Sequence, residues 1–127
     1  MCLSTVSLNL ERKRVGNKLE LVGTGYKVMG EYEIKGMMGK WCKAKPWNGT
    51  KLECASDSTQ YYPGFHIWVN ATDAKAYLGK TQSLKIYQVL FREVICIGSN
   101  YCRLNNKPCV VANWIKYEEE INPGDIV

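Results

Sequence analysis

The chain holds a single histidine, and it lies in a stretch that alternates by type, Phe65-His66-Ile67-Trp68-Val69. Imidazole donates and accepts near neutral pH, so His66 suits a phosphate oxygen or a base edge. A second stretch with chemistry in it is Trp41-Cys42-Lys43-Ala44-Lys45-Pro46-Trp47. It interleaves indole faces, which stack on bases, with ammonium groups, which take phosphates. With Tyr62 from the turn before His66, these stretches give a candidate ligand wall of Trp41, Lys43, Lys45, Tyr62, His66 and Trp68. Each group also has a plainer reading: a half-buried histidine fixed by a backbone partner, and an edge strand with lysines outward and tryptophans in the core.

Several chemistries are excluded by residue type and spacing. A Ser or Cys nucleophile would need His66 as its base, and nothing near it marks a triad partner. The glycines of Gly23-Thr-Gly-Tyr-Lys-Val-Met-Gly30 lack the Lys-Ser ending and the helix of a phosphate loop. No pair of carboxylates is assignable to glycoside hydrolysis. The six cysteines, Cys2, Cys42, Cys54, Cys96, Cys102 and Cys109, contain no CxxC spacing, the usual sign of a zinc site. Removal of Met1 would expose Cys2 as an N-terminal nucleophile. The residues after it are not those that follow such nucleophiles in amidotransferases. No catalytic set, cofactor or metal is expected.

The cations Arg12-Lys13-Arg14 follow the weakly apolar start, the reverse of a secretory signal, and no apolar run approaches membrane-span length. The expectation is a soluble, cytoplasmic chain with reduced thiols. Its net charge of +5 is unevenly placed. Residues 1–51 carry ten Lys and Arg against four Asp and Glu, and residues 52–127 carry seven against eight. Such asymmetry favours an anionic partner. A chain of 127 residues, 46% hydrophobic and 23% charged, is expected to form one domain with a real core.

The elements that must position the wall follow from pattern. Residues 1–20 read as an arm or edge strand, and Arg12-Lys13-Arg14 as a solvated part of it. Gly23 to Met29 reads as a strand entered through glycines that permit unusual backbone angles. Residues 48–60 are polar and turn-rich. Tyr62-Pro63-Gly64 signals a turn before the Phe65–Val69 strand. Period two puts Phe65, Ile67 and Val69 on one face, with His66 and Trp68 on the other. Asn70 reads as an N-cap with Asp73 in the capping-box place, Ala71, Ala74, Tyr77 and Leu78 as a helical stripe, and Gly79 as the stop. Leu84 to Ile97 is a strand apolar on both faces, bulged or broken at Arg92-Glu93. Cys109 to Tyr117 is its partner, its end blunted by Glu118-Glu119-Glu120. Residues 121–127 read as a frayed tail. The fold class is α+β: a mostly antiparallel β-sheet with one short helix (about 71–78) and a long C-terminal strand pair (about 84–97 and 109–117).

Gly25-Tyr26-Lys27-Val28, Gly39-Lys40-Trp41 and Gly64-Phe65-His66, followed by Asp73-Ala74, occur in an order that resembles small uncharacterised phage and prophage proteins. That resemblance implies a viral origin. More loosely, Gly64–Trp68, the helix with Ala74 and Tyr77, and the long apolar strand after it resemble the ADP-ribosyltransferase fold, where this motif lies against the NAD cleft. That likeness implies a late catalytic acid among Glu118, Glu119 and Glu120. It also puts Tyr26-Lys27 where a catalytic His or Arg belongs, which implies an eroded catalytic set. The expected function is a phage-type anti-defence protein that binds and sequesters a small anionic ligand such as a nucleotide signal, with a subunit interface of a homo-oligomer as one place for the pocket. The alternatives are an inhibitor that binds a host nuclease, another host defence protein or nucleic acid, and an ADP-ribosyltransferase-like enzyme.

Overall fold

The computed structural model describes residues 10–44, 52–53, 60–61, 64–80, 83–100 and 107–126. Strand β1 (Leu10–Val15) turns at Gly16-Asn17 into the long β2 (Lys18–Gly30). A short β3 (Trp41–Lys43) follows, then a two-stranded pair of β4 (Leu52–Glu53) and β5 (Gln60–Tyr61). Strand β6 (Phe65–Trp68) leads directly into helix α1 (Ala71–Leu78), and the chain finishes with β7 (Leu84–Asn100), β8 (Lys107–Ile121) and a 3-10 turn, Pro123–Asp125. The named strands pair antiparallel throughout. Apart from them, Met38 makes an isolated parallel bridge with Tyr117. The expected α+β class, with one short helix and a long C-terminal strand pair, is the observed one, and β7 and β8 run further at both ends of their loop than the sequence predicts.

The sheet closes on itself. Strand β2 pairs with β7, β7 with β8, β8 with β6, and β6 returns to β2 through Tyr26 opposite Trp68. The interior of this small barrel holds Ile67, Tyr87, Val89, Phe91, Val110, Ala112, Ile115 and Tyr117, with Ile34 beneath them. Tyr87 and Tyr117 meet edge to face at 6.0 Å. Burial pushes the Tyr117 hydroxyl up to about 12. So narrow a ring leaves little room where β2 faces β6 and β7. A Cβ on Gly23 would overlap the Phe91 ring, and one on Gly25 would overlap Ile67. Among the described residues the left-handed glycines are Gly16, Gly36, Gly39 and Gly79. Gly23 and Gly25 therefore supply space, not the unusual backbone angle the sequence suggests.

Outside the barrel, α1 lays Ala71, Ala74, Tyr77 and Leu78 onto Trp68, Ile86 and Ile126. Gly79 stops the helix at φ 57°, its N–H donating to the Lys75 carbonyl at 3.1 Å. Asn70 holds the N-cap position, but its side chain accepts no helix N–H and donates instead to Asp73 at 3.3 Å. The C-terminal residues are docked where a frayed tail is expected: Ile126 is buried, and its carbonyl accepts from Lys75 Nζ at 2.9 Å. The disturbance expected at Arg92-Glu93 is present. Glu93 sits at φ 56°, and the β7–β8 register slips between Val94 and Cys96. Glu118 to Glu120 lie within β8, where Glu119 faces Gln88 and Glu120 faces Tyr87.

Candidate functional site

Strands β6 and β3 lie end to end along one edge of β8. Phe65 to Trp68 pair with Ala112 to Cys109, and Trp41 to Lys43 pair with Lys116 to Trp114. This arrangement separates the expected wall. Trp68 pairs five positions along β8 from Trp114, roughly 17 Å at strand rise. Lys45 and Tyr62 lie outside the described residues.

Trp68 is part of the core. The two residues between β6 and α1 fold the helix back over the strand that precedes it, so the outer face of β6 is the face α1 covers. The Trp68 indole is 7% exposed and packs on Tyr77 at 5.5 Å, with Ala74 and Leu78 above it. Its expected role in a ligand wall is corrected to that of the hydrophobic floor under α1. His66, two residues earlier, is half-buried. Burial, and then the nearby Lys27 ammonium, hold its ring below the usual histidine range, which keeps it neutral at pH 7. Lys27 Nζ donates to the His66 carbonyl at 3.0 Å, and burial drives the Lys27 ammonium below its ordinary value. Lys27 thus acts as a strut between β2 and β6.

Trp41 and Lys43 have a different setting. The register lines up two rows across three strands: Arg92 on β7, Trp114 on β8 and Lys43 on β3, and beside them Leu90, Lys116 and Trp41. Side chains directly opposite in such pairs lie within contact. The Arg92 guanidinium carbon is 4.8 Å from the Trp41 ring centroid and 4.2 Å from that of Trp114, and Lys43 Nζ is 5.9 Å from Trp114. Glu20 of β2 fixes the guanidinium through an ion pair at 2.7 Å. Arg92 Nε is buried with no hydrogen-bond partner among the described residues. Both indoles are half-exposed and Lys43 is exposed. The result is a platform of aromatic faces backed by one pinned cation and flanked by two others.

Trp41 and Lys43 are thus brought together from the expected set, and Arg92, Trp114 and Lys116 join them. Arg92 had a signal in the sequence, a cation inside an otherwise apolar central strand, which must find partners when the strand is buried. Trp114 had none beyond its place in the partner strand.

Two hollows formed by described residues lie elsewhere, at the end of the barrel where Glu120 lines both. One, of about 410 Å³, is lined by Glu31, Tyr32, Ile34, Met38, Tyr87 and neighbours. The other, of about 600 Å³, lies between Tyr26, Gln88, the start of α1, Glu119 and Asp125. In the first, Glu31 and Glu120 are both ion-paired to Lys85 and Lys35 joins the lining, and the second gathers Glu119, Glu120 and Asp125, carboxylates that repel an anionic ligand. Among the described residues no three His, Cys, Asp or Glu side chains are grouped as a metal site needs, and no helix is long and apolar enough to cross a membrane. Comparison of the chain with family models, curated proteins and solved structures finds no match.

Proposed function

We propose that the protein is a binding protein for a nucleotide-like anion, held on the platform of Trp41, Trp114, Arg92, Lys43 and Lys116. The observation that supports this is the packing of the Arg92 guanidinium against both indoles with Lys43 beside them. A base stacks on the exposed parts of the indoles while its phosphate takes the ammonium groups of Lys43 and Lys116. Arg92 has its orientation fixed in advance by Glu20, so little side-chain freedom is lost on binding. In the phage-type setting that the sequence resemblance implies, holding a nucleotide signal is itself the function: the ligand is withdrawn without being cleaved.

Calorimetric titration with a panel of linear and cyclic nucleotides tests the reading. The expected result is micromolar binding to the native protein, weakened at least about tenfold in Trp114→Ala and Trp41→Ala. Absence of binding at micromolar concentrations, or equal binding by those variants, overturns it. So does a single-stranded oligonucleotide that binds with steep salt dependence while mononucleotides do not, since the ligand is then a long polyanion.

A further inference from the structure

We propose that the free edge of β1 is a docking strand for an extended, acidic segment of a partner protein. This does not depend on the nucleotide reading, whose residues lie on other strands. The ribbon of β1 and the first half of β2 stands out from the barrel: residues 10–14, Lys18, Leu19 and Leu21 are all exposed. β1 ends the sheet, so among the described residues its outer backbone groups face no strand. An edge of this kind is a template for another chain. A two-stranded ribbon is also marginal in water by itself, and a third strand is what completes it.

The register says what the third strand looks like. Arg12 stands opposite Leu21 and Arg14 opposite Leu19, so one face sets two guanidinium groups beside leucines that are 53% and 65% exposed. Lys13 stands opposite Glu20 on the other face. Three successive cations on one strand put positive charge on both faces, and carboxylates at successive positions of an added strand meet them on both. The ribbon's own acids meet these cations only in part. Glu20 is held by Arg92 at 2.7 Å, and Glu11 reaches Lys13 at 4.0 Å and, among the described residues, neither Arg12 nor Arg14.

A second copy of the chain fits poorly. Two-fold antiparallel pairing of β1 with itself, like faces together and centred in the strand, sets Arg12 against Arg12 with Lys13 meeting Glu11, or sets Lys13 against Lys13 with Arg12 meeting Arg14, and either seam gathers three cations against one acid from each copy. A lipid bilayer cannot take the unpaired backbone edge into its hydrocarbon. A nucleic acid would neutralise the cations and leave the edge amides and carbonyls unused. An extended peptide uses all three features: main-chain bonds to the edge, carboxylates on the cations, and apolar side chains over Leu19 and Leu21.

Fluorescence anisotropy of the full chain with a labelled peptide, three central glutamates flanked by valine and threonine, tests this. Saturable binding is expected, with a loss of at least about tenfold when alternate peptide amides are N-methylated. A loss of about fivefold is expected in Lys13→Glu. The Leu19→Ser, Leu21→Ser double variant is expected to weaken binding while its circular dichroism is unchanged, since neither leucine is in the core. The proposal is overturned by no saturable binding up to about 1 mM or by equal binding of the N-methylated peptide. Tighter binding to phosphatidylserine vesicles or duplex DNA than to the peptide overturns it too, as does a concentration-dependent dimer in sedimentation that excludes the peptide.

Discussion

Trp68 and Trp114 occupy the same sheet within a few residues of each other along β8, yet one is sealed and the other half-open. What differs is the layer outside. Over Trp68 lies α1, placed there by a two-residue connection, and beside it the docked Ile126. Around Trp114 are cations: Arg92 fixed by Glu20, and Lys43 from the edge strand. The same side chain is thus packing where a helix covers the strand and a surface where long polar side chains surround it. The sheet alone does not decide between them.

The comparison breaks most readily at Trp68. Trp68→Ala empties the floor under α1 and is expected to cost about 3–5 kcal/mol in urea unfolding. It should leave nucleotide affinity unchanged at temperatures where the variant is folded. Trp114→Ala is expected to do the opposite, losing about 1–3 kcal/mol of ligand binding measured by calorimetry with a smaller change in unfolding midpoint. If the two variants exchange these outcomes, the assignment of core and platform is reversed.

A change inside the barrel sharpens the reason Trp68 sits where it does. Gly25→Ala pushes a methyl group into Ile67 and toward the Trp68 carbonyl. The expected cost is about 1–3 kcal/mol by denaturation. Ile67→Ala in the same chain should recover part of it, because the overlap is with that side chain. Without such recovery, the role of Gly25 as space for Ile67 fails.

The smallest effect concerns His66. Burial places its folded pKa below the ordinary 6.5, so the unfolded chain binds the proton more readily. The stability from the neutral ring is complete above pH 6.5 and is lost progressively as pH falls from there through the folded value. His66→Gln should flatten that part of the stability profile while leaving nucleotide affinity at pH 7 intact. A variant with an unchanged profile would show that His66 is not held neutral by its burial.

Much of this architecture was legible because local pattern and final structure agree. Period two assigned Ile67 and Trp68 to opposite faces, and they lie on opposite sides of the barrel wall. Gly79 marked the end of α1, and the Arg92-Glu93 pair marked the bulge in β7. What period two cannot say is which face a later element will cover. Period two grouped His66 with Trp68 on one face without saying what lies over it, and the helix that follows closes over Trp68. The platform was half legible. Trp41 and Lys43 announce themselves in one short stretch, whereas Arg92 and Trp114 reach them only through the β7–β8 and β3–β8 registers. Barrel closure was not legible either, because it rests on Tyr26 meeting Trp68 across 42 positions of chain and on two glycines whose role is to leave room.

Strands β3 and β6 are two pieces of a single rail along β8. The Ala44 amide donates to the Asn113 carbonyl at 2.7 Å, and Phe65 stands opposite Ala112, the next position along. The rail therefore resumes at Phe65 almost where it stops at Ala44, and the closure cost of joining the two grows only slowly with the length of chain between them. Both pieces run the same way along β8, so any shorter connection must return the chain on its original heading, as a bulge does and a reverse turn does not, if the barrel wall is to keep both of its handholds.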